Sequence, residues 1–192
     1  MADTSGGFIK RTWRRLRSPS PRWSVLALVV VGIVIGVAGL VGTNVMVHAT
    51  GTNKFCSSAC HSMQWVANEY RKSVHAVNHT GTRAGCADCH IPHAYIPKLI
   101  YKTKAGIKDA IGEMRGVIAT EELFKKERKR MAEHVWEEYK ANDSKLCRHC
   151  HQFTPEIVKA QKDFVQPMHQ QVLAGQGTCI DCHKGIAHTS PE

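Results

Sequence analysis

Eight cysteines fall into four pairs, Cys56/Cys60, Cys86/Cys89, Cys147/Cys150 and Cys179/Cys182, and a histidine follows the second member of each: His61, His90, His151 and His183. Three of the segments, Cys86-Ala-Asp-Cys89-His90, Cys147-Arg-His-Cys150-His151 and Cys179-Ile-Asp-Cys182-His183, have the Cys-x-x-Cys-His spacing of covalent haem attachment. The first, Cys56-Ser-Ser-Ala-Cys60-His61, has one extra residue between its cysteines, a spacer that can still reach both vinyl positions of a porphyrin. Structural zinc and disulfides also use paired cysteines. Neither requires a histidine directly after every pair, so the expected cofactors are four covalent haems c.

Haem iron that transfers electrons takes a second axial ligand, ordinarily His or Met. The spare candidates are His75, His79, His93, His169 and His188, with His48, His134 and His149 less well placed, and Met63 two residues beyond His61.

Val25 to Val47 contains no charged residue and is dominated by Val, Leu, Ile, Ala and Gly. As a helix it spans roughly 35 Å, enough to cross a bilayer, and it is longer than the apolar core of a cleaved signal peptide. Lys10, Arg11, Arg14, Arg15, Arg17 and Arg22 precede it, whereas His48 to Lys54 holds one Lys. That asymmetry predicts residues 1–22 in the cytoplasm, an anchor over residues 23–47 with Trp23 at its inner edge, and residues 48–192 outside. Gly32, Gly36 and Gly39 are spaced to let a second copy pack closely, which would make a homo-oligomer.

The net charge of +10 would ordinarily suggest nucleic acid or another polyanion. Six of the 26 basic residues precede the apolar run, however, and eight haem propionates would add roughly −8 to the remainder. No nucleic-acid partner is expected.

The outer region lacks the alternating pattern of strands. Helices are expected over Ile96 to Val117, over Glu121 to Ala141 with Thr120 as N-cap, and over Pro155 to about Leu173, where Pro167 kinks or ends the third. Leu123, Phe124, Met131, Val135, Trp136 and Tyr139 would form the packed side of the Glu121 helix, with Lys125, Lys126, Arg128, Lys129 and Arg130 mostly in water. Large aliphatic residues are too few to build an ordinary core. The predicted fold is mainly α with extensive loops: a single transmembrane helix followed by a haem-cored multihaem cytochrome c domain.

Cys60-His61-Ser62-Met63, Gly81 through His93 and Thr178 through His188 resemble the NapC/NrfH/NirT family of membrane-anchored tetrahaem quinol dehydrogenases, most closely its NapC branch, and the resemblance runs from the anchor to the C-terminus. It implies that the first haem faces quinol, with either Met63 or His61 on its iron. It implies His188 opposite His90 and His75 opposite His183. For the third haem, held by His151, it implies Lys102 opposite, with Lys104, His93 and His169 as alternatives; NapC-like members also implicate His93 and His169 in haem binding. Asp109, together with Lys102, falls at the family's quinol pocket. A proton acceptor is needed there, because quinol oxidation releases protons as well as electrons.

The resemblance further implies quinol as substrate, the inner (cytoplasmic) membrane and its quinone pool as surroundings, and a haem domain in the periplasm. Electrons would pass to a periplasmic reductase, first of all the dihaem cytochrome subunit of nitrate reductase. Another reductase, such as one for nitrite, or reverse flow from hydroxylamine oxidation to quinone, are the alternatives. A terminal reductase would need an open axial position, and an assembly factor would need no more than one haem.

Overall fold

The structure, a computed structural model, describes residues 23–191 together with Gly7, Lys10 and Arg11. Apart from those three, the basic segment 1–22 lies outside the described residues. The chain divides into two units, Met1–Met46 and Val47–Glu192, and among the described residues every regular element is helical.

Helix α1, Val25–Ala49, covers the charge-free run from Val25 to Val47 and continues two residues beyond it; Trp23 and Ser24 of the expected anchor precede it. The Ser24 hydroxyl accepts from the Ala27 amide at 3.2 Å near its start. Its side chains are largely exposed, as suits a helix made to face lipid. Gly32, Gly36 and Gly39 lie on open helix surface.

The second unit is a chain of short helices around two long ones. In order they are α2 (Asn53–Ser58), a 3-10 turn over His61–Met63, α3 (Gln64–Tyr70), α4 (Cys86–His90), α5 (Tyr95–Met114), α6 (Glu121–Ala141), α7 (Lys145–Cys150), α8 (Pro155–Lys159), α9 (Gln166–Leu173) and α10 (Cys179–Cys182). Pro97 stands in the first turn of α5, where its missing N–H costs nothing. The helix stops at Gly116, whose φ of +65° lets the Val117 amide turn back onto the Gly112 carbonyl at 3.1 Å. Thr120 caps α6 as expected, its hydroxyl accepting from the Leu123 amide at 3.3 Å, with Glu121 and Glu122 in the favourable first turn.

Three local expectations are corrected. Leu123, expected on the packed side of α6, is exposed. Residues 155–173 form two helices rather than one, and Pro167 opens α9 instead of ending its predecessor, because a first turn tolerates proline while an interior does not. Arg128 is not solvated: its side chain is 18% exposed and paired with Glu69.

Few apolar side chains are buried. Among the described residues they are Ala67, Ala76, Phe124, Val158 and Ile180, far fewer than an ordinary domain of this size needs. Polar joints do much of the remaining work. After α6, Asp143 and Ser144 adopt left-handed φ values of 55° and 48°. The turn buries Ser144 completely and aims its hydroxyl at the Ile180 amide, 3.3 Å away, docking the last cysteine helix against the end of α6. Lys140 pairs with Asp181 at 3.0 Å, and the Lys184 ammonium lies 4.6 Å from the centre of the Trp136 ring, across the same junction.

Candidate functional site

The three Cys-x-x-Cys-His segments coincide with α4, α7 and α10. One helical turn separates their cysteines, so both sulfurs fall on one side of the helix with the histidine at its end. In α4 and α10 the Asp between the cysteines fixes that turn: Asp88 accepts from the Gly85 amide at 2.7 Å, and Asp181 from the Thr178 amide at 2.8 Å. The lengthened first segment lacks this regularity. It spreads over α2, the linking residues Ala59 and Cys60, and the 3-10 turn.

The four segments neighbour one another in chain order. The Cys56 and Cys86 thiols share a hydrogen bond, the Cys89 thiol is within electrostatic reach of Cys147, and Cys147 of Cys179. Asn53 ties α2 to α4 by accepting from the Cys86 amide at 2.8 Å. Tyr139 on α6 donates to the Cys89 carbonyl. All eight cysteines are unpaired.

The histidines are the decisive part. Two imidazoles on opposite sides of one metal ion, each nitrogen about 2 Å from it, have ring centroids about 6.3 Å apart. His90 and His188 are 6.2 Å apart, His75 and His151 6.2 Å, and His169 and His183 6.0 Å. Each pair joins one motif histidine to one distant in sequence. Burial, and then the neighbouring His188, push His90 down to about 4, which keeps its imidazole neutral and fit to bind metal. Burial also lowers His188. Nδ1 of His75 and of His188 and Nε2 of His93 are buried without a hydrogen-bond partner, which is costly unless something outside the chain engages those rings. A bare metal ion is a poor candidate, since among the described residues no three His, Cys, Asp or Glu side chains converge on one point. Free thiol pairs, facing imidazoles and a cavity of about 310 Å³ beside Cys89 and His90 fit haem c.

The pairings differ from those the resemblance implied. His188 does face His90, but the ring facing His183 is His169, and His75 faces His151. The Lys102 ammonium donates to the Val47 carbonyl at 2.9 Å rather than to a histidine. His93 stacks on His149 with centroids 3.8 Å apart and planes 17° from parallel, too close to hold a metal between them.

Around the first cysteine pair, His61 meets the Trp65 ring edge-on at 5.8 Å, and Trp65 stacks on Phe124 at 5.3 Å. Met63 is 36% exposed. Lys102 lies near the Cys56 thiol, while Glu113 and Asp109 both act on Cys60. Burial raises the Asp109 carboxyl above its ordinary range, opposed in part by Lys108. Glu113, which sequence reasoning missed, accepts from the buried Ser62 hydroxyl at 2.5 Å. Its spacing of four residues from Asp109, which brings both carboxylates to one side of α5, was the available signal.

The model of the NapC/NirT cytochrome c family, N-terminal region, matches residues 18–192. The cytochrome c-type protein NapC of Escherichia coli K12 is 43% identical over 192 residues, covering 100% of this chain and 94% of that protein. The denitrification system component NirT of Stutzerimonas stutzeri is 40% identical over 178 residues, covering 92% of this chain and 88% of NirT. The cytochrome c-type protein TorC of Escherichia coli K12 is 42% identical over 187 residues, 96% of this chain but 47% of TorC.

Proposed function

This chain belongs to the NapC/NirT cytochrome c family, and on that premise we propose that it is a membrane-anchored c-type cytochrome that oxidises membrane quinol and passes electrons to a periplasmic reductase. Nitrate reductase is the first candidate, since the NapC relatives match over nearly their whole length. The carrying observation is the set of three facing imidazole pairs at 6.0–6.2 Å, each containing a motif histidine.

Four haems c are assigned, one per cysteine pair. The axial pairs are His90 with His188, His151 with His75, and His183 with His169, while the first haem takes Met63 or His61. This revises the ligand sets that the resemblance suggested for the third and fourth haems and leaves His93 and Lys104 outside them. Residues 1–22 lie in the cytoplasm, the anchor crosses the inner membrane, and the haem domain from residue 48 lies in the periplasm; the charge asymmetry of the flanks supports this orientation.

Oxidation of a quinol releases two protons and two electrons. Bound haem c supplies one-electron acceptors whose potentials follow axial ligand and burial. The chain itself must handle the protons. Asp109, raised by partial desolvation, holds a proton more strongly than a fully solvated carboxylate and accepts one at its carboxylate oxygen when a quinol hydroxyl approaches Cys60. Glu113, fixed by Ser62, is held in place to receive the next. The ammonium of Lys102, near Cys56, favours the anionic form of a quinol oxygen once that oxygen has given up its proton.

A pyridine haemochrome assay on detergent-purified protein, paired with reduction by a quinol analogue, tests this reading. About four haems per chain and rapid reduction that a quinol-site inhibitor blocks support it. Four haems that only a soluble partner reduces would reverse the direction of electron flow, and fewer than four would remove the first haem and with it the quinol site.

A further inference from the structure

Helix α5 carries an apolar stripe on the wrong side for a soluble domain. Ile96, Ile100, Ile107, Ile111 and Met114 are each between 38% and 79% exposed. At about 100° per residue they fall within an arc of roughly 60°. Tyr101, Lys102, Ala105, Gly112 and Glu113, on the opposite arc, are the less exposed residues that meet the rest of the unit. The helix is therefore amphipathic with its polar side turned inward to Cys56 and Cys60 and its apolar side outward, the reverse of an ordinary surface helix. An exposed row of four isoleucines and a methionine, interrupted between Ile100 and Ile107 by Thr103, requires a cover.

We propose that α5 lies in the outer interface of the membrane, with the isoleucine stripe in the acyl boundary and Lys104 and Lys108, along one margin of the stripe, among anionic headgroups. Two observations favour lipid over a protein partner. Residues 47–49, where the apolar span ends, belong to the same unit as α5, and Lys102 ties the two together through the Val47 carbonyl at 2.9 Å. The stripe is thus fastened to the point where the chain leaves the bilayer. The composition is also that of an interfacial helix: apolar on one arc, lysines at its edge, and too polar overall to span. The consequence for function is direct, since the inward arc presents Lys102, Asp109 and Glu113 at the level where a lipid-soluble quinol head resides.

The inference rests on the membrane-anchored reading but on no electron transfer, so a chain that fails to oxidise quinol can still satisfy it. The test uses full-length, haem-loaded protein in vesicles of phosphatidylethanolamine and phosphatidylglycerol, with one added cysteine carrying a nitroxide. Labels at Ile100→Cys, Ile107→Cys and Ile111→Cys should collide with oxygen about threefold or more in excess of a water-soluble nickel chelate, at depths of about 5–10 Å. A label at Lys129→Cys on α6 should show the opposite preference, and one at Val34→Cys reports the span. Because the substituted isoleucines are exposed, the variants should load haem normally, which the haem absorbance checks. The proposal is overturned if the Val34 label is immersed while the three stripe labels meet the nickel chelate freely. It is equally overturned if the stripe becomes protected only on adding the reductase, or in proportion to protein density, since a protein would then be the cover. A Val34 label in water would sink both this inference and the anchor.

Discussion

Removing the Glu69 carboxylate should loosen the segment that delivers His188. Glu69, on α3, accepts from the two terminal nitrogens of Arg128 on α6 at 2.8 and 2.7 Å and from the Thr189 amide at 3.1 Å. Arg128 also donates to the Thr189 carbonyl, and His188 Nδ1 lies 4.0 Å from the same carboxylate. One ion pair thus clamps three separate stretches of chain, in a domain with few buried apolar side chains to share the load. Hydrogen bonds to charged groups contribute about 1.5–3 kcal/mol each when sheltered. Screening reduces that here, because the two side chains are 18% and 23% exposed. A loss of about 2 kcal/mol in Glu69→Ala, spread over a chain of this size, lowers Tm by about 4–8 °C. Circular dichroism melts of the haem-loaded protein measure it, alongside Arg128→Ala and the double variant. Because the two partners share one interaction, the double variant should lose less than the sum, by about 1–2 kcal/mol. If the singles each shift Tm by under about 1 °C, or the double is strictly additive, the clamp does not exist as described.

Asp109→Asn should slow quinol oxidation by about 10²–10⁴-fold while leaving haem content intact. In the native chain the rate should climb with pH as the burial-raised carboxyl loses its proton and becomes able to accept one, with the inflection above the ordinary 3.8, and the Asn variant should lose that inflection. His75→Ala should convert the haem of Cys147 and Cys150 from six- to five-coordinate, and His169→Ala that of Cys179 and Cys182; electron paramagnetic resonance of His75→Ala combined with His183→Ala should then show two altered haems, and one altered haem would restore the pairing that the resemblance implied. Thr120→Ala should cost about 1 kcal/mol, or about 2–4 °C in Tm, with Thr120→Ser restoring most of it; no loss would mean that α6 is held by its packing alone.

The sequence determined whatever depends on near neighbours. The spacing of Cys86, Cys89 and His90 is short, so reading it as a haem-attachment site needed no knowledge of the rest of the chain. The apolar run from Val25 specified its own helix, because a segment without charges that must satisfy every backbone group in lipid has no other choice. Thr120 and the two glutamates after it announced α6 for the same reason, since caps and first-turn charges act within four residues.

What the tertiary structure decided are relations across long loops, where spacing carries no information. His75 is 76 residues from His151 and 108 from His183 along the chain, and only the packing of α4, α7 and α10 settles which ring it faces. Lys102 could be read as a ligand from its place after α4, yet its ammonium reaches a carbonyl 55 residues upstream. Arg128 looked like one more solvated charge in a basic run until Glu69, 59 residues away, came to meet it. The isoleucines of α5 recur at helical spacing in the sequence, but such a spacing says only that two faces differ. Which face turns toward the cysteines was fixed by the contacts of Lys102 and Glu113, and that orientation leaves the apolar face outward.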